Sequence, residues 1–178
     1  MGVPDQFLKA TLEQDTPVVT RHGAVFVRAP EIATTELTPD GLLRAEHPER
    51  LRDLPAPWCL LGHEAVLDGK MPGDHVDPRA FERCVRRRYA RQLQRLAESP
   101  ADDDPSRCGA WIAAPHVPDW LRAWAASSRA TLRVLAPGCY AVGPALFPIV
   151  WIAANELPLH DALIPFLVAR SGKRKVRE

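Results

Sequence analysis

The chain has 178 residues, 46% of them hydrophobic and 25% charged, the composition of a folded globular protein with a core rather than of a disordered or fibrous chain. A formal net charge of +1 excludes a polycation, so any attraction to nucleic acid must come from local patches. The four cysteines, Cys59, Cys84, Cys108 and Cys139, stand far apart with no Cys-x-x-Cys pair, which argues against a zinc ribbon and for free thiols in a reducing cytoplasm.

No run approaches the roughly 18 apolar residues of a membrane span, so no membrane partner is expected. Met1 to Gln14 carries acids and no long apolar block, unlike a signal peptide. Val3 to Gln14 reads instead as a first helix, with Phe7, Leu8, Thr11 and Leu12 at helical spacing and Asp5 as its cap. Val18-Val19 and Ala24 to Val27 read as two strand pieces around His22-Gly23. Thr38-Pro39-Asp40-Gly41 has turn chemistry, and Gly41-Leu42-Leu43 then re-enters the core. Residues 46–57 form a charged, proline-ended connector.

Trp58 to Leu67 is apolar and rich in strand formers, and it runs directly into Asp68-Gly69-Lys70. If the strand persists to its end, Asp68 and Lys70 share a face, with Glu64 behind them. Asp-Gly is equally a hairpin-turn dipeptide, which would leave Lys70 as a solvated side chain. Asp77-Pro78 opens the clearest helix, extending to Ala97, because Asp is a preferred cap and Pro suits the first helical position. Phe81, Val85, Tyr89, Leu93 and Leu96 give it an apolar stripe expected to face the core. Its other faces carry seven arginines, at 79, 83, 86, 87, 88, 91 and 95, against Glu82 and Glu98. Such a helix suits phosphate contacts. It suits equally a solvated face whose arginines pair with carboxylates elsewhere.

Asp102 to Asp104 lies in an exposed loop, and Gly109 to Ala114 reads as a buried strand. Pro118 to Ser127 is a short helix with Trp120, Leu121 and Trp124 on one side, read as core in preference to a base-stacking platform. Thr131 to Ala136 and Cys139 to Val142 are strand-like about a Pro137-Gly138 turn, and Phe147 to Ala153 is a continuous apolar strand. His160-Asp161 caps a last helix. Helices and strands in this order describe one α/β or α+β domain over residues 1–170, with a mixed central sheet flanked by helices, followed by a basic tail, 171–178.

Two carboxylates and a lysine can hold a hard divalent cation and activate water for attack on a phosphodiester. Of the four lysines only Lys70 has an acid two residues before it. The order Pro39-Asp40, a spacer, then Asp68-x-Lys70 resembles the motif of the PD-(D/E)XK nuclease superfamily. Within it, the chain is similar to bacterial transposase-like and recombination-promoting nuclease-like proteins, whose opening helix Asp5-Gln6-Phe7-Leu8-Lys9 also resembles. The resemblance implies a restriction-endonuclease-like fold and hydrolysis of nucleic acid, DNA ahead of RNA. It implies that Asp40 and Asp68 hold Mg²⁺ (or Mn²⁺) and that Lys70 orients water or stabilises developing charge. It further implies that Glu64 adds a ligand or a base, and that Arg83, Arg86, Arg87 and Arg91 on the following helix meet the substrate backbone. A homodimer is left open. Two other classes are carried alongside: a catalytically degenerate member that binds nucleic acid or protein, and a structural or interaction protein in which Asp40 and Asp68 lie far apart.

Overall fold

The computed structural model describes residues 40–71, 73–74, 76–101, 104–127, 131–143 and 149–170. They belong to one compact unit spanning residues 37–178. The expected first helix, the strand pieces near residues 18–27, the basic tail, and His75, Asp102 and Asp103 lie outside the described residues.

Six strands form one mixed sheet: β1 (Gly41–Arg44), β2 (Glu64–Gly69), β3 (Cys108–Ala114), β4 (Leu132–Ala136), β5 (Cys139–Val142) and β6 (Ile149–Ala153). Their spatial order is β1-β2-β3-β6-β5-β4. The central trio β2, β3 and β6 is parallel, and β1, β5 and β4 join antiparallel at the flanks. Every residue of β3 and β6 is buried, as expected of parallel strands covered on both faces. The chain is thus mixed α/β, as the alternation of apolar runs and helical stripes indicates.

Helix α1 (Pro78–Glu98) is the crossover between β2 and β3. Asp77 accepts a hydrogen bond from Ala80 N at 2.7 Å and Pro78 occupies the first turn, so the sequence signal for its start is met in detail. Helix α2 (Asp119–Ser127) follows β3, and Leu121 is its buried anchor. Both helices cover one sheet face, over a core that includes Cys84, Ile112, Leu121, Val142 and Trp151. The opposite face buries Ala65, Trp111, Val150 and Ile152 against Leu163 and Phe166. Phe166 comes from the short C-terminal helix α3 (Ile164–Leu167), where Pro165 is tolerated in the first turn.

Two expectations fail for physical reasons. Trp58–Leu67 is not one strand. Pro55 and Pro57 favour a turn, Trp58–Leu60 is a 3₁₀ segment, and the strand begins only at Glu64. Trp58 serves the covering layer instead. Its indole N–H donates to Ala162 O at 2.6 Å, and its ring lies 5.0 Å from Phe166.

The apolar stripe of α1 is only partly the buried one: Phe81 and Val85 pack against the core, but Tyr89 and Leu93 do not. Ala80, Cys84, Arg88, Gln92 and Arg95 face the sheet, while Tyr89 and Leu93 are 42% and 67% exposed. The reason lies in the sheet face below, where β2 presents Glu64 and Asp68, both buried. Turning Tyr89 and Leu93 inward would gain about 1.5–3 kcal/mol each. Leaving two buried carboxylates without partners would cost about 3–5 kcal/mol apiece. Arg87, Arg91 and Arg95 therefore turn towards these carboxylates.

Candidate functional site

Strand β2 carries its chemistry at its carboxyl end. The backbone stays extended through Gly69, which pairs with Ala113, and Lys70 N donates to Ala113 O at 2.7 Å. The Asp68-Gly69 pair is therefore strand, not turn, and Asp68 and Lys70 share a face. Lys70 Nζ donates to Asp68 Oδ1 at 2.9 Å. On the neighbouring strand β1, Gly41 pairs with Leu67 in antiparallel register. One step further along that register Asp40 stands opposite Asp68. Asp40 Oδ2 accepts from Gly69 N at 2.8 Å, which ties the two strand ends together. Asp40, Asp68 and Lys70, separated by up to thirty positions in sequence, thus converge at one end of the sheet.

Asp68 is 1% exposed. Its Oδ1 is shared by Lys70 and by Arg87 from α1, whose guanidinium lies 3.2 Å away. Its Oδ2 is buried with no hydrogen-bond partner among the described residues. A buried carboxylate oxygen left without a partner is costly, and it calls for a missing donor, water or cation. Next to it sits the thiol of Cys84, pushed up to about 12 by burial first and then by the charge of Asp68. Cys84 is consequently a neutral packing residue and not a nucleophile.

The donor set fits a hard cation. Asp40, exposed, and Asp68, with an orphaned oxygen, supply two carboxylates. Among the described residues no three His, Cys, Asp or Glu side chains come together as a metal cluster. Mg²⁺ is suited to such a sparse site because it retains several waters and takes one or two carboxylates.

Glu64 does not join this group. It lies four residues back on β2, about 13 Å along the strand. Arg91 donates to both of its oxygens, at 2.9 and 3.1 Å, and Arg95 and Arg44 stand at 3.4 and 3.5 Å. Arg91 also bonds Glu98, and the hydrogen bond to Glu64 is the main reason its own proton is held more tightly than usual. A carboxylate enclosed by three guanidinium groups is available neither as a metal ligand nor as a base.

The four arginines expected on the substrate divide accordingly. Arg87 and Arg91 are spent on Asp68 and Glu64. Arg86 is exposed and pairs with Glu82 at 2.6 Å. Arg83 is exposed and has no ion-pair partner among the described residues. Arg87, Arg91 and Arg95 thus follow the second of the two readings of this helix, in which its arginines pair with carboxylates elsewhere. Arg87, Arg91 and Arg95 repeat every four residues on one helix face, and Glu64 and Asp68 share one strand face.

No helix among the described residues is long and apolar enough to cross a membrane. No protein-family model, curated protein or solved structure matches the chain.

Proposed function

We propose that the protein is a metal-dependent nuclease of PD-(D/E)XK type that hydrolyses phosphodiester bonds, in DNA ahead of RNA. The observation that carries this reading is the meeting of Asp40 and Asp68 on facing strands, with Lys70 beside them and one buried Asp68 oxygen left unpartnered. Asp40 and Asp68 would hold Mg²⁺ or Mn²⁺, which when bound polarises a phosphoryl oxygen and lowers the pKa of a coordinated water. Lys70, bonded to Asp68 and 17% exposed, would donate to the attacking water or to a non-bridging phosphate oxygen. Arg87 pairs with the same Asp68 oxygen as Lys70, which would leave the second oxygen for the cation. The water oxygen bonds to phosphorus, one bridging P–O bond breaks, and the water's proton passes through solvent to the alkoxide that leaves.

A second reading has its own observation. Lys70 and Arg87 together already neutralise Asp68, as in a structural ion-pair network. On that reading the chain is a degenerate relative that binds without cutting. The test is nicking of a supercoiled plasmid. The nuclease reading predicts cleavage with Mg²⁺ or Mn²⁺, none with EDTA, and none by Asp68→Asn or Lys70→Ala. A folded wild-type protein that leaves the plasmid intact under these conditions belongs to the second reading.

A further inference from the structure

Helices α1 and α2 start where the parallel strands β2 and β3 end, the same end of the sheet that carries Asp40, Asp68 and Lys70. Between their first turns lies a notch of about 330 Å³ lined by Pro78, Phe81, Trp120 and Trp124. The Phe81 ring centroid is 6.1 Å from each of the two indoles, tilted 69° to Trp120 and 56° to Trp124. Trp120 is fixed in place, because its N–H donates to Val76 O at 2.5 Å. Trp124 is 40% exposed, an unusual setting for the largest apolar side chain. Trp120 is therefore held in place, and the notch reaches solvent beside Trp124.

The outer arc of α1 between notch and carboxylates carries Arg79, Arg83 and Arg86 against one acid, Glu82, which pairs with Arg86. A helix turns about 100° per residue. Ala80, Cys84 and Arg88 face the sheet, Arg87 flanks them over Asp68, and Phe81 flanks them on the opposite side. By that geometry Arg79 and Arg83 occupy the outer arc of α1, on the way from the Asp68 flank to the notch. Both are exposed, and neither has an ion-pair partner among the described residues. The amino end of a helix adds its own partial positive charge for a phosphate.

We propose that a single-stranded segment of nucleic acid crosses the first two turns of α1, its phosphates on Arg79 and Arg83 and one base inserted in the notch between Phe81, Trp120 and Trp124. This rests on the nuclease reading for the choice of occupant and names its substrate class. A base in a duplex is already stacked and cannot enter the notch, so unpaired or frayed strands are the favoured substrates. The apolar lining offers no hydrogen-bond code, so any base is accepted.

The experiment uses the full-length Asp68→Asn protein in EDTA, so that no cleavage intervenes. Its ligands are fluorescein-labelled oligothymidylate, the same strand with abasic positions, and a duplex of equal length. Anisotropy should show tightest binding to the base-bearing strand, with affinity about tenfold or more lower for the abasic strand. Binding should quench tryptophan emission. Adding Trp124→Ala, at a solvent-exposed position, should bring the two strands to equal affinity, and Trp124→Phe should restore most of the difference. Adding Arg79→Glu with Arg83→Glu should weaken both strands and flatten the salt dependence.

Equal affinity for base-bearing and abasic strands, no effect of Trp124→Ala, or no binding at low salt would each overturn the proposal. The two readings fail separately. Metal-dependent nicking by the wild-type protein without a stacking contribution sinks only the notch. Stacking without nicking sinks only the nuclease.

Discussion

The two acids of β2 lie on one face of one strand, both under helix α1 and both buried, yet their environments differ. Glu64 is enclosed, with both oxygens taken by Arg91 and with Arg95 and Arg44 close by. Asp68 has two cations on one oxygen and none on the other, and a second carboxylate stands across the strand pair. Saturation marks a structural ion pair. The orphaned Asp68 oxygen, beside a like charge, is the feature on which the metal-site proposal rests. Burial alone, which is similar for the two, does not distinguish them.

The largest effect that sharpens this contrast is on stability. Replacing Glu64 by Gln removes the charge that three guanidinium groups surround, and breaking such a buried cluster costs about 3–5 kcal/mol. For a chain of this size each kcal/mol lowers Tm by roughly 2–4 °C. Asp68→Asn should cost less, about 1–2 kcal/mol. Both variants keep a polar amide, but only Asp68→Asn relieves repulsion with a neighbouring carboxylate, that of Asp40. Thermal melts of the two variants, side by side, give the order. A larger loss for Asp68→Asn would invert the comparison.

A smaller effect probes the packing around Asp68 from its neighbour. The Cys84 thiol is raised from its ordinary value of 9.0 to about 12 in the fold. Its contribution is whole below pH 9, where folded and unfolded thiols are both protonated. It is lost as pH rises towards 12, because only the unfolded thiol then ionises. Stability should therefore fall above pH 9 by about 1.4 kcal/mol per pH unit from this group. Chemical denaturation of wild type and Cys84→Ala between about pH 8 and about pH 10.5, from below the free thiol's pKa to well above it, reads it. The variant, whatever its starting stability, should show the shallower slope; identical slopes would mean that Cys84 is not buried beside Asp68.

Much of this arrangement was legible in the sequence. Asp77-Pro78 announced the start of α1, the run before Ala114 announced β3, and Pro137-Gly138 announced the turn at which Gly138 adopts φ 72°. The spacing of Asp68 and Lys70 gave their shared face once the backbone proved extended. What was not legible depends on contacts between distant elements. Apolar periodicity named Tyr89 and Leu93 as the inner face of α1, because a hydrophobic stripe is normally the strongest signal on a helix. It could not weigh that stripe against two carboxylates on a strand not yet known to lie beneath it. The same ignorance leaves the phosphate and the ion-pair readings of Arg87 and Arg91 equal, and makes Glu64 look like a member of the site. Trp58 reads as strand because a 3₁₀ turn following two prolines carries no apolar period of its own.

The central claim is that Asp68, and not Glu64, has an oxygen waiting for a cation. Calorimetric titration of Mn²⁺ into wild-type protein, Asp68→Asn and Glu64→Gln tests it most directly, at a temperature where circular dichroism shows all three folded. The account predicts one binding event in wild type, the same event in Glu64→Gln, and none in Asp68→Asn. Undiminished binding by Asp68→Asn, or no binding by wild type, would contradict it.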